Sequence, residues 1–255
     1  MSQDLAKLRE AHANLNKQGG GDNEGKYVIL KKGTNVVRIL PPKDPTDLFY
    51  AETKIHRVVD EEGNNRNFHC RKMHDEECPV CDAYFALWKK HNQLFPDKET
   101  ARKEDSEFKK AARSIKPGKR FYMNVVDCDD DNKVKVLSVG IKVMDKILAD
   151  ILGDFGDITD LKEGRDFKVE KNEDGQWPDY SKSSTRPQVS PAGNAKEIAA
   201  FQEEMHDIKA LVKLESMEDA VKIANIYNPQ EKPVDTTAED TAKTSDEDFT
   251  KTLQS

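Results

Sequence analysis

The sequence predicts an α+β fold: a small β-barrel core with helical insertions, an inserted metal-binding subdomain and flanking helices. Two observations predict it. Short β-rich runs are separated by turn signals and interrupted by helical patterns, which argues against a doubly wound parallel sheet. Three of the chain's four cysteines also fall within one fifteen-residue stretch, FHCRKMHDEECPVCD, Phe68 to Asp82.

Taken in order, residues 2–17 read as a short amphipathic helix, with Leu5, Leu8, His12 and Leu15 at helical spacing. The flexible run QGGGDNEG ends it, so residues 1–25 form a helical arm and a Gly-rich linker. KYVILKKGTNVVRILPP gives two β-rich runs around the turn Lys32-Gly33, and DLFYAETKIHRVV gives a third strand before the turn DEEGNN. A helix is expected after Pro79 through CDAYFALWKKHNQLF, and a second, solvated one over KETARKEDSEFKKAAR. KRFYMNVVDC and KVKVLSVG read as a hairpin across the acidic turn DDDN. IKVMDKILADILG reads as a helix with Met144, Ile147, Leu148 and Ile151 on one face. RDFKVEKNEDGQWPDYSKSSTRPQVSP is strand, turn and strand, and residues 195–227 form one or two helices. The core is therefore 26–228, with the metal subdomain at about 50–95. Residues 229–255 carry seven acidic and three basic residues and almost no apolar content. Such a segment cannot offset its ordering entropy by burial and is expected to be a disordered acidic tail.

With 36% hydrophobic and 35% charged residues in a chain of 255, one modest core is expected. The formal net charge of −7 does not by itself suggest nucleic acid, but a total can hide a local patch. No apolar run approaches the roughly 18 residues a membrane span needs, and no signal-peptide core is visible at the N-terminus. An intracellular protein is expected, in which four cysteines point to metal or free thiols rather than disulfides.

Cys78-Pro-Val-Cys81 is a C-x-x-C, a turn that lets two thiolates meet one ion. Cys70 is a natural third ligand for a structural zinc, and spacing leaves His56, His69, His74 and Cys128 as candidates for the fourth. His69 adjoins Cys70, so joint ligation from an extended segment is awkward. Cys128 ends a strand and reads as a small buried hydrophobe. His56 lies on a strand that leads through a turn to Cys70. A thioredoxin-like redox pair lacks its βαβ context here. Three cysteines with one histidine would close the metal's shell, which argues against an enzyme.

The patch hidden by the net charge is FKKAARSIKPGKRFYMNVV, with Lys109, Lys110, Arg113, Lys116, Lys119 and Arg120 and no acidic residue among them. Cations of this kind neutralise backbone phosphates, and aromatic faces stack on unpaired bases. The adjoining strand opens with Phe121 and Tyr122, of which alternation lets only one meet a base. Arg38, Arg66, Phe68, Arg71, Lys72, Tyr180 and Arg186 are further candidates. The competing reading is a zinc-stabilised scaffold or accessory factor of the replication or transcription machinery, its basic helix meeting protein.

Together these pieces resemble the single-stranded DNA-binding, helix-destabilising proteins of T-even-like bacteriophages, over roughly Tyr27 to Asn225. The anchors are VVRILP (Val36 to Pro41), the His-bearing strand before Cys70 and Cys78-Pro-Val-Cys81, KRFYMNVVD, VGIKVMDKILADI, and DYSKSS (Asp179 to Ser184). The resemblance implies an OB-fold whose cleft runs between barrel and zinc subdomain. It implies one structural Zn2+ on His56, Cys70, Cys78 and Cys81, and no catalysis. It further implies a role in phage DNA replication, recombination and repair in the cytoplasm of the infected bacterial host, and no membrane partner. The acidic tail would bind replication and recombination proteins and compete with DNA for the basic cleft. Self-association along DNA is also implied, although the arm here carries only Lys7, Arg9 and Lys17, spread among acids. The Cys70–Cys78 spacing is shorter than the family's usual loop.

Overall fold

In the computed structural model the described residues are 25–228, except 131, 174 and 176; the arm helix and the acidic tail lie outside them. Seven antiparallel strands form one sheet: β1 (Gly33–Ile39), β2 (Tyr50–Val59), β3 (Asn65–His69), β4 (Gly118–Asp127), β5 (Lys133–Gly140), β6 (Asp166–Lys171) and β7 (Ser184–Thr185). The hydrogen-bonded order is β3-β2-β4-β1-β6-β7, with β5 on the other edge of β4.

β4 sets the shape. One edge runs against β5 from Arg120 to Asp127, while the other is divided, pairing with β2 from Gly118 to Met123 and with β1 from Val125 to Asp127. Asn124 falls between the two partners, and its carbonyl accepts the amide of Leu40 at 3.0 Å. One strand serving two neighbours along a single edge requires the sheet to fold over at that point. The ladder then ends at β3, β5 and β7, and no pairing among the described residues joins these ends. The expected α+β class is thus present, with an antiparallel sheet that strand pairing among the described residues does not close into a barrel.

Alternation along β4 divides the packing. Phe121, Met123 and Val125 face one core with Val37, Ile39, Leu137, Val139, Phe167 and Val169. Helix α4 (Ile141–Leu152) closes that core with Val143, Met144 and Ile147, as its apolar spacing predicts. Tyr122 points the other way, into a cluster with Ile55 and Val136 on which Tyr27, Ile208, Leu211 and Val212 pack.

A second core lies under three helices, α1 (Pro79–Leu94), α3 (Glu107–Ser114) and α6 (Met217–Tyr227). It contains Val58, Phe68, Cys70, Cys78, Cys81, Leu87, Ile115 and Ile223. Pro79 stands at the first turn of α1, where its missing N–H costs nothing. His91 is fully buried and satisfied by the Ser106 hydroxyl and the Ala101 carbonyl, both at 2.8 Å. Helix α5 (Ala195–Glu204) starts at a capping box of Asn194 and Glu197.

Three expectations are corrected. The first β-rich run, Tyr27 to Leu30, forms no strand beyond a bridge at Tyr27. It lies along β5, with Val28 N–H donating to Val136 O at 3.0 Å and Val136 N–H to Lys26 O at 2.8 Å. The solvated helix over 98–113 is two helices, α2 (Lys98–Lys103) and α3, because the side chains of Asp97 and Ser106 each cap a helix start. The strand after β6 is only two residues long.

Two predicted DNA contacts belong to this scaffold instead. Arg38 is 1% exposed, and its guanidinium donates to Asp166 at 2.8 Å and to the carbonyl and hydroxyl of Ser190. Lys109 is 2% exposed, and its ammonium donates to the carbonyls of Ala101, Arg102 and Glu104, capping the C-terminal end of α2. Arg38→Ala should therefore lower unfolding stability by about 3 kcal/mol. That is the low end for breaking a buried pair, because Asp166 is partly exposed and keeps Arg186. Urea denaturation checks this, and an unchanged midpoint would place Arg38 outside the structural network.

Candidate metal centre and nucleic-acid face

The metal ligands come from three elements. His56 is on β2, Cys70 follows the end of β3, and Cys78 and Cys81 begin α1. Cys70 reaches β2 because its N–H donates to Lys54 O at 2.8 Å, continuing the strand pairing beyond His69. His56 Nε2 lies 3.5 Å from Cys81 Sγ and 3.7 Å from Cys78 Sγ, and Cys70 Sγ is 3.5 Å from Cys81 Sγ. All four ligand atoms lie within 4.8 Å of one another, and all four residues are buried. Sulfurs at about 2.3 Å from a tetrahedral ion stand about 3.8 Å apart, so the cluster needs only a small expansion to enclose one. His56 Nδ1–H donates to Ile115 O at 2.7 Å, which leaves the Nε2 lone pair for the cation.

The electrostatics of the cation-free cluster fit the same reading. Burial pulls the His56 imidazole down, but hydrogen bonds with Cys70, Cys78 and the Ile115 carbonyl outweigh it and raise the pKa to about 9. Hydrogen bonds with Cys70 and Cys81 pull the Cys78 thiol down, while those with Cys70 and Cys78 push Cys81 up. One thiolate forms readily and the next is opposed by it; a divalent cation removes that opposition. The set can hold one metal ion, and its donor chemistry is that of a structural zinc.

The other candidate ligands are elsewhere. His69 Nδ1 lies 3.1 Å from the Thr53 hydroxyl, and His74 is exposed. Cys128 is exposed rather than buried as expected, because it follows β4 into the acidic turn. His74-Asp75-Glu76 has the H-x-E form of a zinc deaminase, but His74 is outside the cluster and Glu76 pairs with Arg71.

The structure sorts the predicted DNA contacts. Arg66, Lys110 and Lys116 are exposed. Lys72, Arg113, Lys119 and Arg186 are exposed but paired with Asp82, Asp105, Glu52 and Asp166. Arg71 is tied to Glu76 and to the Glu215 carbonyl, and Arg120 is partly buried. Phe68 is fully buried beside the metal cysteines, so it is a core residue and not a stacking surface. Phe121 and Tyr122 are 6% and 7% exposed, so neither ring is open. Tyr180 is partly buried against the first core. Trp177, three residues before Tyr180 and outside the anchor motifs quoted above, is 69% exposed. The single-residue signal for it is a large aromatic in a polar turn.

A buried Cys3His donor set is that of a structural rather than a catalytic metal site. The family model described as gp32 DNA binding protein like matches residues 31–228, and the chain belongs to that family of non-enzymatic DNA-binding proteins. The match supports binding to single-stranded DNA. No curated protein matches the chain.

Cys78→Ser should lose the bound metal and lower the melting temperature, since metal binding contributes folding free energy directly. Cys128→Ser should keep it. Metal analysis of the purified variants decides, and retention in Cys78→Ser with loss in Cys128→Ser would overturn the ligand set.

Proposed function

We propose that the chain is a sequence-nonspecific single-stranded DNA-binding protein of phage DNA replication, recombination and repair, acting in the cytoplasm of the infected host. The family match over residues 31–228 carries this reading. The folded sheet is read as an OB-type barrel and the Cys3His cluster as one structural Zn2+. The cleft runs between barrel and zinc lobe. Its cations are Arg66, Arg71, Lys72, Lys110, Arg113, Lys116, Lys119, Arg120 and Arg186, and its stacking residues are Tyr180 and Tyr122. Tyr122 is 7% exposed, so for it to meet a base the residues packed on its cluster, Tyr27, Ile208, Leu211 and Val212, have to shift.

The acidic tail, 229–255, is read as the tether for replication and recombination proteins and as a competitor for the cleft. The attraction between a flexible polyanion and a basic groove is strongest at low salt. Single strands are denser polyanions and displace it. Self-association along the strand is the third partner relation in this reading.

Tyr180→Ala should weaken poly-dT binding by about 1–3 kcal/mol without changing its salt slope, because stacking releases no counterions. Wild-type affinity in that variant would remove Tyr180 from the stacking set. Truncation after Asn228 removes a net charge of −4 and should raise poly-dT affinity, more at low salt than at high salt. A salt titration of both chains measures it, and superimposed lines would leave the tail only as a tether. The same titration with duplex DNA should give weaker binding throughout.

A further inference from the structure

Strand alternation and register bring Arg57 and Arg120 onto one face of the sheet. Along β2, Thr53, Ile55 and Arg57 face away from His56 and Val58, whose side belongs to the metal lobe. On β4, Arg120 stands opposite Thr53 and Gly118 stands opposite Ile55. The β4 position nearest Arg57 on that face therefore has no side chain. A Cβ placed on Gly118 would meet nothing within 4 Å, so the space directly over Gly118 is open.

The charges around that gap are unbalanced. Arg57 is exposed and Arg120 partly buried. Burial first, then the charge of Arg57, pull the Arg120 guanidinium below its usual pKa, and the other groups acting on it are Tyr122 and Tyr180 rather than a carboxylate. Several other basic residues have acids, Lys119 with Glu52, Arg113 with Asp105 and Arg186 with Asp166, whereas among the described residues neither Arg57 nor Arg120 has an ion pair. Two guanidiniums facing an open gap repel each other, and an anion with two equivalent oxygens turns that repulsion into attraction. The planar guanidinium fork fits a phosphate in two-point contact. Of the two tyrosines near Arg120, Tyr180 is partly buried and would lie nearest a neighbouring base, whereas Tyr122 is 7% exposed.

We propose that Arg57 and Arg120 form a phosphate-binding subsite across the gap over Gly118, holding an internucleotide phosphate of the bound strand. This rests on the single-stranded DNA reading. It adds Arg57, which no motif in the sequence marks, to the residues that hold the backbone.

The test is a salt titration of poly-dT binding with the full-length protein. Arg57→Gln should weaken binding roughly tenfold at low salt, the range of one charged hydrogen bond. The double variant Arg57→Gln with Arg120→Gln should have a log–log slope shallower by about 0.7, one phosphate contact on a single strand. Arg57→Lys should recover part of the affinity, because charge returns without the fork. Lys222→Gln, on α6 and paired with Glu218, should match wild type. Arg57→Gln binding with wild-type affinity at every salt concentration overturns the subsite. So does an affinity loss with an unchanged slope in the double variant, which marks packing, and an equal loss in Lys222→Gln, which marks overall charge alone. Wild-type protein that fails to bind poly-dT overturns the single-strand reading, and the subsite falls with it.

Discussion

The convergence of His56, Cys70, Cys78 and Cys81 is the constraint on which the helical lobe depends. These residues join a strand, the residue after a second strand and the first turn of a helix. His56 also ties in the end of α3 through the Ile115 carbonyl. The lobe's apolar core is built around the cysteines themselves, with Phe68 and Ile115 packed against them. A core of that size gains stability when a metal binds the folded state alone, because the ligand atoms are together only there.

β2 carries the same constraint to the rest of the molecule. One face of the strand enters the metal lobe with His56 and Val58, while the other presents Thr53, Ile55 and Arg57 beside β4. Period-two alternation thus puts adjacent residues, His56 and Arg57, on the metal lobe and on the face of the proposed phosphate subsite. A one-residue slip of β2 would exchange the two sets, so fixing the metal also fixes the register of the face.

Much of this was legible in the sequence. The β4–β5 hairpin, the amphipathic helix α4 and the helix after Pro79 followed from turn residues and apolar spacing. Cys70, Cys78 and Cys81 followed from their spacing, and His56 as fourth ligand from the family resemblance. The division of residues 98–113 into two helices had a local signal in Ser106, but helical propensity on either side hid it. The partner of Tyr27 to Leu30 had none, because pairing with β5 is a long-range choice. Burial was the hardest property to read. Arg38, Phe68 and Lys109 look like surface ligands for DNA in one dimension, and what removes them is contact with Asp166, the metal cysteines and the end of α2.

The same contacts decide which cations a chain of net charge −7 has left for the proposed DNA-binding surface. Arg38 and Lys109 are desolvated and fully hydrogen-bonded inside the fold, so releasing either would leave buried partners unsatisfied. Lys119 with Glu52 and Arg113 with Asp105 are more exposed pairs, a kind worth about 0–1 kcal/mol, so a phosphate can compete with the carboxylate for the cation. Among the described residues neither Arg57 nor Arg120 pairs with a carboxylate, which would lower the cost of placing the proposed phosphate between them. The useful count for nucleic-acid binding is the number of cations whose present partners are weak or absent. That number is set by burial and register, not by composition.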